Sequence, residues 1–188
     1  MIEAILNKEI VVSKAVSRVI GVIVFVILTS LGAFVRIPLP FTPVPITLQT
    51  FFVLLSGAFL GSLGALSQII YVLLGIAGFP IFTGCGSGLI YLFGPTGGYL
   101  LGFILAAIFL SRFINYTKDS LFPVFVIFCI ADFILLSCGV FWLKIIFGYS
   151  LAKLLFLGFI PFIPGDLFKA LVASILFLKI KSRLKQIF

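Results

Sequence analysis

Long apolar runs, separated by short polar or proline-rich connections, dominate the chain. One run covers residues 19–35 and ends at Arg36, a second covers 46–78, and a third covers 121–147. None of them alternates apolar and polar positions, which argues against a membrane β-barrel. Because a transmembrane helix needs about 20 apolar residues, the pattern predicts helices that cross a lipid bilayer.

We predict an all-α integral membrane protein with six transmembrane helices. The second run exceeds one span, and Gly61-Ser62-Leu63-Gly64 divides it into two. The predicted spans cover approximately residues 19–35, 46–78 (two spans), 99–110, 121–147 and 166–180. The chain is interpreted as a single membrane domain, with an N-terminal segment at 1–18, the six-helix bundle at about 19–180 and a basic tail at 181–188.

Composition supports a lipid environment and excludes several kinds of chemistry. Of the 188 residues, 63% are hydrophobic and 10% are charged, whereas a soluble domain carries about a quarter charged residues. There is no histidine, and the three cysteines (Cys85, Cys129 and Cys138) do not cluster. The sequence therefore offers neither a zinc site nor a Cys–His catalytic pair. It also lacks the Gly-Lys pair that a P-loop for ATP requires.

The cations predict how the helices are oriented. With six spans, both termini share a side with the connections after the second and fourth helices, and this side collects most of the Lys and Arg residues. The other side holds Arg36, Lys144 and Lys153. Since cytoplasmic segments carry the excess of Lys and Arg, both termini are predicted to be cytoplasmic. Three irregular segments (36–49, 79–98 and 148–169) then lie outside, where they would cap a ligand pocket.

Asp166 and Lys169 are the strongest candidates for ligand binding. They follow Pro164-Gly165, where a helix is predicted to begin, and their spacing places both on one helical face. Ionisable residues inside a span are costly and usually face a cavity. Asp166 could alternatively be the N-cap of that helix with Lys169 as its intrahelical neighbour, and the two interpretations are compatible.

Weaker candidates lie in the irregular segments. Gly84, Gly86 and Gly88 alternate along the chain and either let the backbone approach a ligand or form a flexible turn. Residues at the start of the second helix could cap it or donate hydrogen bonds into the pocket. These residues are Thr47, Gln49 and Thr50.

Asp132 and two pairs of glycines lie within the spans. Asp132 is near the middle of the fifth span, where it could relay protons or pair with another helix; we favour pairing, because the sequence shows no relay partner. Gly98 and Gly102, like Gly57 and Gly61, are four residues apart, which suits close packing between helices.

Four segments in series resemble the BioY family, the biotin-specific substrate-binding subunit (S component) of energy-coupling factor (ECF) transporters. Residues 36–50 read RIPLPFTPVPITLQT, 75–80 read GIAGFP, 94–103 read GPTGGYLLGF and 161–169 read PFIPGDLFK. The resemblance extends from about residue 20 to residue 180, with the motifs in the family's order.

The resemblance implies a multi-pass protein of the prokaryotic cell membrane that captures biotin from outside with high affinity. It implies association with a transmembrane coupling subunit and a pair of cytoplasmic ATPases, although some members are thought to transport without a dedicated set of partners. No cofactor, metal or nucleic acid is implied. By the resemblance, Asp166 and Lys169 contact the polar groups of biotin. Weaker expected contacts are Gln49, Gly84, Gly86 and Gly88, with Tyr91 or Tyr99 as an aromatic surface.

Several alternatives remain open from the sequence. The chain could be an S component for riboflavin or thiamine, an integral-membrane enzyme, or a pore. Small residues for docking to a coupling subunit are also hard to place on the first helix, where the nearest candidates are Thr29 with Ala33, or Gly32 with Arg36.

Overall fold

The computed structural model describes the backbone of residues 2–184 and the side chains of residues 14–181. This part of the chain is mainly α-helical, with two 3-10 turns (Ile114–Tyr116 and Ile160–Phe162) and one small antiparallel sheet. The sheet pairs β1 (Arg36–Ile37) with β2 (Ile46–Thr47). The helices are α1 (Ile2–Phe34), α2 (Gln49–Leu60), α3 (Ser62–Ile76), α4 (Leu89–Leu92), α5 (Gly97–Phe113), α6 (Leu121–Phe147), α7 (Leu151–Gly158) and α8 (Ile163–Leu184).

Four helical segments are long and apolar enough to cross a membrane: Lys14–Phe34, Gly97–Tyr116, Leu121–Phe147 and Leu151–Lys181. The helices α2 and α3 are apolar but have only 12 and 15 residues. Residues 46–78 are thus divided at Gly61, as predicted, yet each half is shorter than a full span of about 20 residues.

The helices α2 and α3 form an antiparallel hairpin that reverses at Gly61. The φ of Gly61 is +59°, a conformation that glycine adopts without the cost that a Cβ imposes. Gln68 Nε2 donates to Ser56 Oγ at 3.1 Å near the reversal, and Gln49 Nε2 donates to the Tyr71 hydroxyl at 2.6 Å at the open end. Gly61 therefore makes the turn, and the prediction that it packs between helices is wrong, since no atom lies within 4 Å of a Cβ built there.

The glycines of α5 confirm the other packing prediction. A Cβ on Gly98 would lie 2.1 Å from Trp142 Cβ, and one on Gly102 would lie 2.8 Å from the Leu135 carbonyl oxygen. The absence of side chains at these two positions brings α5 against α6. On α2, Gly57 contacts α5 in the same way at Ala107.

Two helix boundaries differ from the sequence prediction. The helix α1 begins at Ile2 rather than near residue 19, because residues 2–18 contain no Gly or Pro to interrupt it. The helix α8 begins at Ile163, since a proline at position 164 is tolerated in a first helical turn. Asp166 is therefore inside the helix, and its interpretation as an N-cap is wrong.

The segment 148–169 is more ordered than its sequence suggests. It contains α7 and a 3-10 turn before α8 begins, because residues 151–157 carry no Gly or Pro. Similarly, the segment 79–98 contains the short α4 and the start of α5. Of the predicted basic tail, residues 185–188 lie outside the described residues.

The small residues of α1 face the interior of the bundle. Thr29 and Ala33 are fully buried, and a Cβ on Gly32 would lie 3.0 Å from Gln49 Cα. These positions pack against α2 and α3, so they do not form an exposed docking stripe. From residue 19 onward the exposed face of α1 is apolar instead, at Val19, Ile20, Ile23, Val24, Ile27, Leu31 and Phe34.

Candidate functional site

A small cavity, here called the first cavity, lies where the three irregular segments meet. Its volume is about 40 Å³, enough for a few water molecules. Pro45, Thr83 and Phe162 each contribute from a different segment, and α5 and α6 supply an apolar wall. Its wall residues are Leu100, Phe103, Leu135 and Leu136. The predicted convergence of the three segments on one pocket is confirmed.

Asp166 and Lys169 meet Thr47 and Thr50 at this cavity, and these four residues are named the site cluster. Lys169 forms an ion pair with Asp166 one turn earlier on α8. Its ammonium also donates to the Thr47 carbonyl oxygen at 3.0 Å and to Thr50 Oγ1 at 2.5 Å. An ammonium has three donors, so these partners occupy all of them. The Thr50 hydroxyl in turn donates to Asp166 Oδ1 at 3.2 Å.

The site cluster leaves one oxygen without a partner. Among the described residues, Asp166 Oδ2 is buried and accepts no hydrogen bond, while the whole residue is only 3% exposed. An unpaired buried acceptor costs free energy, and such groups are rare in folded proteins. The arrangement is therefore suited to a ligand that donates an N–H or O–H to this carboxylate.

Gln49 connects the helices beneath the cavity to the segment above it. Its amide donates to the Tyr71 hydroxyl, which donates to the Ile81 carbonyl oxygen at 3.1 Å. Thr83 Oγ1 donates to Gln49 Oε1 at 3.1 Å, and the Tyr91 hydroxyl donates to the Thr83 carbonyl oxygen at 3.1 Å. This chain of hydrogen bonds holds residues 81–91 over the cavity.

Tyr91 and Tyr99 both line the cavity, and an aromatic surface for the ligand from either of them stays a prediction. Tyr99 also has a structural task, because its hydroxyl donates to the Gly158 carbonyl oxygen at 2.7 Å. Its ring occupies the space where a side chain on Gly139 would lie. Tyr99 therefore fixes the end of α7 against α5 and α6.

The three alternating glycines do not line the cavity. Gly84 and Gly88 have φ of +74° and +85°. Gly86 lies against the Tyr91 ring, and a Cβ built on Gly86 would lie only 2.2 Å from that ring. These contacts support the turn interpretation, and direct ligand contacts from Gly84, Gly86 and Gly88 stay a prediction.

Sequence reasoning missed several cavity residues. Thr83 and Thr96 offer hydroxyls there, and Phe103 and Phe162 offer aromatic surface. Their signal was present, because Thr96, Phe103 and Phe162 lie within the motifs at 94–103 and 161–169. The motifs did not show which of their residues face inward.

Comparisons with known proteins agree on one family. The model of the BioY family matches residues 6–186. The chain is 41% identical to "Biotin transporter BioY" of Thermotoga maritima over 160 residues, covering 84% of this chain and 92% of that protein. It is 41% identical to "Probable biotin transporter BioY" of Pyrococcus horikoshii over 158 residues, covering 82% and 90%.

A solved structure shares the fold. The S-component for biotin from an ECF-type ABC transporter superposes with a TM-score of 0.81 at 23% identity, covering 89% of this chain and 92% of that one. The bundle thus shares the fold of that S-component. Taken together with the family match over residues 6–186, these similarities place the chain in the BioY family, to which it belongs.

Proposed function

We propose that this chain captures biotin and carries it across the membrane as the substrate-specific subunit of an ECF-type transporter. The relatives are named as biotin transporters, which favours transport of biotin over an enzymatic activity, a pore, or the uptake of riboflavin or thiamine. The observation that carries the proposal is the buried, unpartnered Asp166 Oδ2 at the first cavity.

The chemistry of biotin matches the chemistry of the cavity. Its ureido ring presents two N–H donors and one carbonyl oxygen, and an ionised carboxylate only accepts hydrogen bonds. Asp166 Oδ2 would therefore accept a ureido N–H. The donors of Lys169 are already engaged by the site cluster, so Lys169 holds Asp166 and Thr50 in position and reaches the ligand only by exchanging a bond. The apolar ring and tail would contact Phe103 and Phe162.

Binding requires the cavity to widen. A volume of about 40 Å³ is far below that of an organic ligand, whose pockets measure about 300 Å³ or more. The proposed mobile segment is 81–91, because it lies over the site and is held there by a few side-chain hydrogen bonds at Gln49, Tyr71 and Tyr91. Outward movement would expose Asp166, and return of the segment would enclose biotin.

The proposal includes a membrane topology for a single domain. Six helices (α1, α2, α3, α5, α6 and α8) cross the cell membrane, both termini are cytoplasmic, and the capped cavity faces outside. The antiparallel hairpin of α2 and α3 supports this count by its direction, because its two helices run in opposite senses, although each is shorter than a full span. A coupling subunit and cytoplasmic ATPases supply the energy, as the name of the solved S-component suggests; transport by this chain alone is the alternative.

Equilibrium binding of labelled biotin to the purified, detergent-solubilised protein tests the proposal, with riboflavin and thiamine as competitors. We expect saturable binding that unlabelled biotin displaces and the other two vitamins do not. Displacement by riboflavin or thiamine, or no binding by a folded and monodisperse sample, would overturn the assignment of biotin. Uptake into cells with and without coexpressed coupling and ATPase subunits separates the two modes of transport.

A further inference from the structure

A second, larger cavity lies between α6 and α8, beside the first, and it opens at the surface of the bundle, where Phe133 and Leu167 are exposed. Its volume is about 220 Å³, and it shares only Leu136 and Asp166 with the lining of the first cavity. Phe133 and Phe159 lie in edge-to-face contact within its lining, with ring centroids 5.5 Å apart. Apart from these shared and aromatic residues, its lining is Cys129, Asp132, Ile163, Leu167 and Ala170.

Asp132 lines this cavity, and no hydrogen bond or ion pair is found for its buried Oδ1 among the described residues. It lies near the middle of the 27-residue α6 and is only 6% exposed. Lys169 cannot pair with it directly, because the three donors of that ammonium go to the site cluster. An isolated carboxylate in an apolar interior is costly while ionised.

We propose that the second cavity is a proton-binding site, in which Asp132 takes up a proton when the ligand, with its ureido ring at Asp166, brings its carboxylate into the first cavity. The proton comes from water and converts the carboxylate to a carboxylic acid, and its release reverses the step. This inference rests on the proposed function, because the ligand is biotin, whose carboxylate is ionised at neutral pH.

The lining favours a proton over a metal ion. Hard cations take six or more oxygen ligands, whereas the only side-chain oxygens lining this cavity belong to Asp132 and Asp166. A proton needs a single carboxylate. A proton can therefore neutralise Asp132 in the second cavity, whereas a metal ion would lack enough oxygen ligands there.

Charge determines the direction of the coupling. The charged groups beside Asp132 are Asp166 and Lys169 on α8, which sum to zero, so an ionised Asp132 makes the site negative. The other titratable groups nearby are the thiol of Cys129, which lines the second cavity, and the phenol of Tyr99 on α5, which lines the first. The helix α2 contributes no titratable side chain, and Lys153 on α7 is exposed. Another anion in this apolar region raises the energy of an ionised Asp132 and so favours its protonated form.

Linkage makes this coupling measurable in both directions. Biotin affinity of the full-length protein is measured from about pH 6 to about pH 9, where the ligand's carboxyl, like other carboxyl groups, stays ionised. We expect affinity to fall with rising pH, by at most about tenfold per pH unit for one proton. The affinity of Asp132→Asn should not change with pH, and it should be close to the affinity that the wild type has at low pH. Asp119→Asn, the same change at an exposed site, should keep the wild-type slope.

Calorimetry in buffers of different ionisation enthalpy counts the protons directly. We expect uptake of up to one proton per biotin by the wild type, none by Asp132→Asn, and none by the wild type with biotinamide, whose amide is uncharged. Saturable binding that is independent of pH in the wild type would overturn the coupling alone. A slope that persists in Asp132→Asn would overturn the assignment to Asp132. No biotin binding at any pH would overturn the proposed function, and the coupling with it.

Discussion

Two buried polar clusters inside the bundle differ in how completely their atoms are paired. The first, here the core cluster, consists of Thr29, Ser56, Ser67 and Gln68, all fully buried. Gln68 Nε2 lies 3.1–3.3 Å from the hydroxyls of the other three residues. In the site cluster Asp166 and Lys169 are buried and the two threonines are half-buried, and among the described residues Asp166 Oδ2 has no partner. The difference teaches that complete pairing marks a polar group that joins helices, whereas an open acceptor beside a cavity marks a binding site.

Replacing Lys169 should have the largest effect on this contrast. Lys169→Met leaves the Asp166 carboxylate buried without its cation, and breaking a buried pair from one side costs about 3–5 kcal/mol. We expect a clear drop in the thermal unfolding midpoint in detergent, together with loss of biotin binding. Lys153→Met, at an exposed lysine on α7, is the control and should leave both unchanged. An unchanged midpoint for Lys169→Met would show that the ion pair does not hold the site together.

Replacing Asp166 should weaken biotin binding, and it also leaves the buried Lys169 ammonium without its counter-ion. Asp166→Asn keeps the size of the side chain but removes the ionised acceptor, and a hydrogen bond to a charged group contributes about 1.5–3 kcal/mol. We expect the Kd for biotin to rise by about tenfold to a hundredfold, measured by equilibrium binding. Asp119→Asn should bind as the parent does. Parental affinity in Asp166→Asn would remove this carboxylate from the binding site.

Removing the Tyr91 hydroxyl should loosen the segment above the cavity. Tyr91→Phe deletes the bond to the Thr83 carbonyl oxygen, and a bond of this kind contributes about 0.5–1.5 kcal/mol. Because the stacked ring of Phe82 still holds residue 91, we expect faster association and dissociation of biotin with only a small change in Kd. Stopped-flow binding measures both rates. Unchanged rates would mean that this segment does not control entry.

Replacing Gln68 should have the smallest effect. Gln68→Leu removes the centre of the core cluster, and hydrogen bonds between membrane helices average about 0.6 kcal/mol. We expect a slightly lower unfolding midpoint and parental biotin affinity. A large loss of affinity would break the contrast, because the core cluster would then act on the ligand as the site cluster does.

The sequence predicted the features that depend on neighbouring residues. The division at Gly61 and the face shared by Asp166 and Lys169 follow from local spacing. The core cluster could not be predicted from local spacing, because Thr29 and Gln68 lie 39 residues apart and meet only when α1 packs against α3. The bond from the Thr50 hydroxyl to Asp166 Oδ1 likewise joins residues that are 116 positions apart. Pairing across such distances is set by helix packing, which hydrophobic periodicity does not encode.

The Thr50 hydroxyl has a mechanical consequence. It accepts a hydrogen bond from Lys169 and donates one to Asp166, so one side chain on α2 binds two side chains of α8. Because these two bonds, at 2.5 Å and 3.2 Å, share the Thr50 hydroxyl, a displacement of α2 relative to α8 changes the geometry of both at once. The strength of these bonds therefore depends on the alignment of the two helices. A force that tilts one helix would change the affinity for biotin without any contact with the ligand.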